Sequence, residues 1–201
     1  MRRFTMQRQF DIPPALAGTS VVLEPLTESH VTDNYVRWLA DQEVIRYLDV
    51  RFRQPQTSED ILNYVRSFYG PMERYAWAIY LRASNAMVGT ATIPRVDRIH
   101  LTAGIGLMIG DHSAWGTGAG PEALALVIEF AFETLHLRRL AEHNVALNHR
   151  SNFMLRRAGF RHEGTLRGAY RLASDRDEWV DGLEFGLLAE EWRAQRRRSG
   201  V

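Results

Sequence analysis

Cysteine is absent from the 201-residue chain. That excludes a disulfide framework, a thiolate metal site and a cysteine nucleophile, and it fits a reducing, cytoplasmic setting. No apolar run is long enough to cross a membrane, so none is expected as a partner. The N-terminal stretch has basic residues without the apolar core of a secretory signal. The net charge is only +1, which gives no overall pull towards nucleic acid or a lipid surface. The seven histidines show neither HExxH nor another ligand spacing, so no metal is expected. Repeats, linkers and low-complexity runs are missing as well.

What remains is an ordinary globular composition. Hydrophobic residues make up 45% of the chain, enough for one sizeable core at this length. The basic residues are spread along the chain apart from two end clusters: Arg2, Arg3 and Arg8, then Arg193 with Arg196, Arg197 and Arg198. These read as solvated tails, with at most a non-specific attraction to polyanions at low salt. The expected division is an arm over 1–18, a domain over 19–192 and a basic tail over 193–201.

Periodicity predicts strands over 21–26, 75–82, 87–93, 99–109, 138–146, 160–166 and 179–188. Helices are expected after Thr27 and Thr57, around Val44 and Ile45, over 121–135 and over 148–158, the last ended by Gly159. A polar loop is expected over 173–177. The fold class is therefore α/β (α+β): one mixed, mostly antiparallel sheet of six to seven strands flanked by helices.

The most informative segment is Gly104 to Ala123, a strand, a glycine-rich loop and a helix. Gly116, Gly118 and Gly120 leave main-chain N–H groups uncovered, and the helix that follows turns its positive end to the same spot. This is a site for a phosphate or pyrophosphate. A P-loop requires Lys and Ser/Thr after the last glycine, where Pro121 and Glu122 stand. A dinucleotide-binding unit requires the loop after its first strand and an acid about 20 residues on; here the basic pair Arg138-Arg139 occupies that place.

The order of motifs resembles the GNAT superfamily of acetyl-CoA-dependent N-acetyltransferases, and within it the Rim-type branch that acetylates ribosomal-protein N-termini. Trp115-Gly116-Thr117-Gly118-Ala119-Gly120 matches the family's glycine signature, and Glu122-Ala123 follows it. Asn148-His149-Arg150-Ser151 matches Asn-x-x-Ser, and Gly159-Phe160-Arg161-His162-Glu163-Gly164 matches Gly-Phe-x-x-Glu-Gly. The resemblance covers about residues 21–192. It implies a sheet splayed at the CoA-binding strand, with Leu107, Met108 and Ile109 on that strand. It also implies residues 115–120 around the pyrophosphate, Asn148 on the pantetheine arm, Ser151 near the thioester, and acetyl-CoA as cosubstrate. Many relatives are dimers, which makes a homodimer an expectation here.

The implied reaction is direct attack of a neutral primary amine on the thioester. Two of the family's posts are vacant. The position of a frequent catalytic Tyr is Leu155, which leaves Ser151 to hydrogen-bond the departing thiolate. The position of a frequent carboxylate is Gly104, so the base must come from elsewhere. His143 has a suitable unperturbed pKa; Glu142 beside it is sent to the other face by strand alternation. Asp111 and His112 read as loop residues close to the strand. Arg51, Arg53 and Tyr170 are the candidate acceptor-binding residues, with Trp38 assigned to the core. The acceptor reads as a protein N-terminus or a small-molecule amine. The alternatives are a nucleotide-linked amino sugar, or a CoA-binding module without catalysis. Glu24, Glu28, Asp33 and Asp41 show no cluster suited to a cationic acceptor.

Overall fold

The run Tyr75-Ala-Trp-Ala-Ile alternates large and small side chains, and the fold uses both of its faces. A computed structural model describes residues 11–48, 56–70, 72–171 and 179–199. Strand β3 (Tyr75–Leu81) buries Tyr75, Trp77 and Ile79 in one core and Ala76 and Ala78 in a second. Antiparallel neighbours β2 (Val21–Pro25) and β4 (Ala86–Ile93) flank it. With β1 (Leu16–Ala17) and β7 (Gly106–Ile109) they form a sheet in the order β1-β2-β3-β4-β7.

The second sheet runs β5 (Val96–Asp97), β6 (Thr102–Ala103), β8 (Arg139–Val145), β10 (Trp179–Leu188), β9 (Arg161–Arg171). The fold class agrees with the expectation, and the strand count rises from seven to ten for three local reasons. Leu16 and Ala17 pair with Leu23 and Val22, so the residues read as an arm end in a strand. Val96 and Asp97 form a hairpin with β6. The segment expected as one strand over 99–109 opens with a turn and then splits. Its β6 part pairs in parallel with β8, and its β7 part pairs antiparallel with β4. One stretch of chain thus belongs to two sheets, which part between β7 and β8.

Helices cover the first sheet on both sides. Helices α1 (Asp33–Ala40), α2 (Gln42–Ile45) and α3 (Ser58–Arg66) place Tyr35, Leu39, Ile45, Ile61 and Val65 against Ala76, Ala78 and Met108. The Thr57 hydroxyl accepts from the Asp60 N–H, and the Asp60 side chain answers the Thr57 N–H, so α3 opens on a capping box. On the other side lie α4 (Ala119–Glu129), α5 (His149–Arg157) and α6 (Ala189–Ser199). Leu124, Val127 and Ile128 of α4 meet Val21, Leu23, Trp77 and Ile93. Each such buried aliphatic contributes roughly 1.5–3 kcal/mol.

Two expectations on this side are corrected. The helix expected over 121–135 winds as a π-turn over Phe130–Thr134. The wider turn lets consecutive residues Phe130, Ala131 and Phe132 all reach the core, which a 3.6-residue period does not allow. The residues read as a solvated basic tail continue as α6. Arg193 and Arg196 pair with Glu133 and Glu129, and Trp192 packs on Phe132, so the helix is anchored to its neighbour.

Gly89 of β4 lies opposite Ile109 of β7. A Cβ at Gly89 would collide with the Met108 carbonyl oxygen and stand 3.0 Å from the Ile109 Cα. Both obstacles are backbone, so Gly89→Ala must push β7 away from β4. We expect a loss of about 1–3 kcal/mol, the usual cost of overpacking, measured as a lower urea midpoint.

Candidate functional site

Strand β7 faces β4 on one side only. Gly110 donates to Val88, so by antiparallel alternation the main-chain groups of Met108 and Gly106 point to β4. Those of Ile105, Leu107 and Ile109 point the other way, into the gap between the sheets. Met108 is thereby turned from the gap, and its side chain belongs to the core beneath α1–α3. The Leu107 and Ile109 side chains pack against the α4 side.

The glycine loop stands at the wide, open end of this gap. Gly116 and Gly118 have φ of +77° and +96°, a region disfavoured for side chains, and a Cβ on either would stand in open space. These glycines are required by the backbone, and nothing covers them. Gly118 is the N-cap of α4, and the first-turn N–H groups that follow lack intrahelical acceptors. Pro121, with no N–H, costs no helix bond in that first turn. Among the described residues the Ala119 N–H finds only a long 3.4 Å contact, with the Thr117 hydroxyl. At Gly120 a Cβ would touch Ile109, Met154 and Leu107, so α4 sits closely against β7 and α5.

Trp115 stands over the end of β7. Its indole N–H donates to the Ile109 carbonyl at 2.8 Å. The ring stacks on His112 at 4.0 Å, and the Arg150 guanidinium lies 5.0 Å from its centroid. His112 in turn meets Asp41 at 2.9 Å. The Glu43 N–H, and then His112, hold the Asp41 carboxyl below its ordinary value. Asp111 caps its own turn through the Ser113 N–H. The acids first weighed for a cationic acceptor are dispersed, Glu28 to Arg66 and Asp41 to His112.

On the far side of the gap, Asn148 caps α5 by accepting from the Ser151 N–H at 3.3 Å. The cap uses only its oxygen, leaving the amide NH2 to donate. The Ser151 hydroxyl accepts from Asn144 Nδ2 at 2.8 Å. Asn152 binds the Val145 and Ala146 carbonyls, fixing the start of α5 to the end of β8. His143 lies on the opposite face of β8 from Asn144, more than half exposed, with Nδ1 against the Glu184 carboxylate. Tyr170 lies over Gly182, where a Cβ would come within 2.7 Å of the ring. Gly182 pairs with Val145, so Tyr170 is near the gap's β8 end. Arg51 and Arg53 lie outside the described residues.

The residue passed over in the sequence is Glu142. The last parallel pair of β6 and β8 is Ala103 with Leu140. Two residues on, where the strands have parted, the Glu142 carboxylate accepts the Ile105 N–H. It replaces the carbonyl that a continuing ladder would supply. Gly104 makes room: a Cβ there would stand 3.3 Å from both the carboxylate and the Ala141 carbonyl. Burial raises the Glu142 pKa to about 8, against the opposing effect of the Ile105 bond. The signal in the sequence was the bare Gly104, whose meaning depends on which strand lies beside it.

The chain matches the family model described as Acetyltransferase (GNAT) domain over residues 20–161. It is 26% identical over 161 residues to the uncharacterized N-acetyltransferase p20 of Bacillus licheniformis, covering 80% of this chain and 88% of that protein. Among solved structures, the spermidine N-acetyltransferase of Vibrio cholerae in complex with CoA and spermine superposes with a TM-score of 0.76. The identity is 14%, and the match covers 88% and 99% of the two chains. RimL, the ribosomal L7/L12 alpha-N-protein acetyltransferase in complex with coenzyme A, gives 0.75 at 20% identity, covering 87% and 98%. At these identities the two structures speak for the fold alone.

Glu142 also predicts a pH dependence of stability. Its folded pKa, about 8, lies above the ordinary 4.5, so the folded state holds the proton more tightly. That contribution is complete below pH 4.5 and is lost as pH rises towards 8. Glu142→Gln cannot ionise, so we expect the melting temperature of the native protein to fall relative to the variant between pH 5 and 8. Parallel melting curves would contradict the assignment.

Proposed function

The chain belongs to the GNAT acetyltransferase family and is an N-acetyltransferase, and from that premise we propose that it moves an acetyl group from acetyl-CoA directly to a primary amine, in the manner of the Rim-type branch. The observation that carries the reading is the uncovered glycine loop at the mouth of a gap between two parted strands. The first-turn N–H groups of α4 and the loop from Gly116 to Gly120 bind the pyrophosphate. Trp115, clamped between His112 and Arg150, walls that end. The pantetheine arm lies in the gap and bonds the main-chain groups of Leu107 as an added strand would, beside the Ile109 carbonyl that Trp115 already holds. Asn148 donates its amide NH2 to the arm from the β8 side.

The amine must arrive neutral, because an ammonium has no lone pair. As the C–N bond forms, charge gathers on the thioester oxygen, and the Leu107 N–H receives it. The C–S bond then breaks, and the Ser151 hydroxyl hydrogen-bonds the thiolate. Tyr170 lies on the acceptor side. The motif Asn148-x-x-Ser151 favours the Rim-type reading, and with it a peptide N-terminus or a comparable small amine as acceptor.

A thermal-shift titration tests the cofactor. Acetyl-CoA should raise the melting temperature by mass action, and ATP should raise it little. No shift at millimolar acetyl-CoA would remove the reading. Gly118→Asp places a negative charge and a strained side chain at the loop, and we expect it to abolish the shift while the fold survives. Ser151→Ala should lower kcat about tenfold with KM for acetyl-CoA little changed, the scale of one hydrogen bond to a charged group. A free-thiol assay with N-terminal peptides, polyamines and amino sugars separates the acceptor classes.

A further inference from the structure

We propose that Glu142 is the general base of the transfer and the group that returns the proton to the departing sulfur. The inference rests on the acetyltransferase reading and adds to it the proton carrier that Gly104 and Leu155 leave unassigned.

The position follows from the direction of the gap. Its open end is the glycine loop, and the main-chain groups facing it run Ile109, Leu107, Ile105 towards the point where the sheets rejoin. An arm anchored by its pyrophosphate at the loop therefore carries its thioester towards Ile105. There the Glu142 carboxylate stands, bonded to the Ile105 N–H. The surroundings are Gly104, the Ala141 carbonyl, Asn144 two residues along the same face of β8, and Phe185 across the pair on β10. None of these is charged; Arg156 and His162 lie against the Phe185 ring, and among the described residues no ion pair ties the carboxylate down. Burial outweighs the Ile105 bond and places its pKa about 8, within reach of both protonation states near neutrality. His143 projects from the opposite face and is engaged with Glu184.

The step balances with one carboxylate. As the amine nitrogen bonds to the thioester carbon, Glu142 takes a proton from that nitrogen. The C–S bond breaks with its electron pair going to sulfur, and Glu142 gives the proton to the thiolate. The products are the amide and CoA thiol, with Glu142 ionised again.

The test uses Glu142→Gln in the full chain, because the amide oxygen still accepts the Ile105 N–H. Turnover of an accepted amine should fall about a hundredfold or more, while KM for acetyl-CoA and the thermal shift it causes stay within about threefold of native, the scale of the proton linkage. A second measurement needs no acceptor. Calorimetry near pH 8, in buffers of different ionisation enthalpy, should show proton uptake when acetyl-CoA binds, because filling the gap dries the carboxylate and raises its pKa further. Adenosine 3′,5′-diphosphate, which reaches the loop but not the gap, should show none beyond that of its phosphates, and Glu142→Gln should lose the acetyl-CoA uptake. Equal uptake in the native and variant proteins overturns the proposal. So does turnover within twofold of native, or a loss of turnover in His143→Ala that Glu142→Gln does not share. Failure of acetyl-CoA to shift the native protein is a different result, and it would remove the acetyltransferase reading itself.

Discussion

Two strands that stop pairing leave main-chain donors and acceptors without partners, and most of the molecule can be understood from how that cost is met. Between β6 and β8 the ladder is intact at Thr102 and Ala103. Beyond it, β7 transfers its hydrogen bonds to β4 and turns alternate peptide groups into a gap. A buried peptide group without a partner is costly. One of the exposed groups, the Ile105 N–H, is met by a carboxylate, and another, the Ile109 carbonyl, by an indole N–H. The groups of Leu107 between them are left for a ligand. In the function proposed above, the unmade bonds of the sheet are the recognition surface.

The elements around the gap hold it open. The two cores sit on opposite faces of the first sheet, and Gly89 lets β4 and β7 approach closely. Helix α4 fixes the loop from one side, and its Glu122 accepts from the Thr19 and Ser20 N–H groups, tying the β1–β2 turn to the helix start. Helix α5 fixes the other side through Asn152 and Asn148. The chain Asp41, His112, Trp115, Arg150 links the turn between α1 and α2 to the glycine loop and to α5. Elements from distant parts of the sequence therefore meet at one mouth.

Glu142 shows how stability and chemistry oppose each other at such a place. Below its pKa it is a neutral acid filling a vacancy in the ladder. Above it, the same group is a buried carboxylate that the fold tolerates at a cost. A glutamine would satisfy the Ile105 N–H without that cost and would have no proton to move.

Local sequence was enough for the α/β class, the long strands, the cap of α3 and the glycine loop, because each depends on neighbours within one turn or one pleat; it misplaced the first helix, since Thr27 opens only a short 3-10 turn and α1 begins at Asp33. It also placed Ser151 and Asn148 at the start of one helix, and the cap at Asn148 is present. The division of 99–109 between two sheets, the π-turn at Phe130 and the anchoring of α6 were decided by tertiary structure, through partners well beyond one turn or one pleat or a core that three consecutive residues had to fill. Alternation correctly put Glu142 and His143 on opposite faces. Which face held the gap depended on where β6 leaves β8, and no local pattern in either strand encodes that divergence.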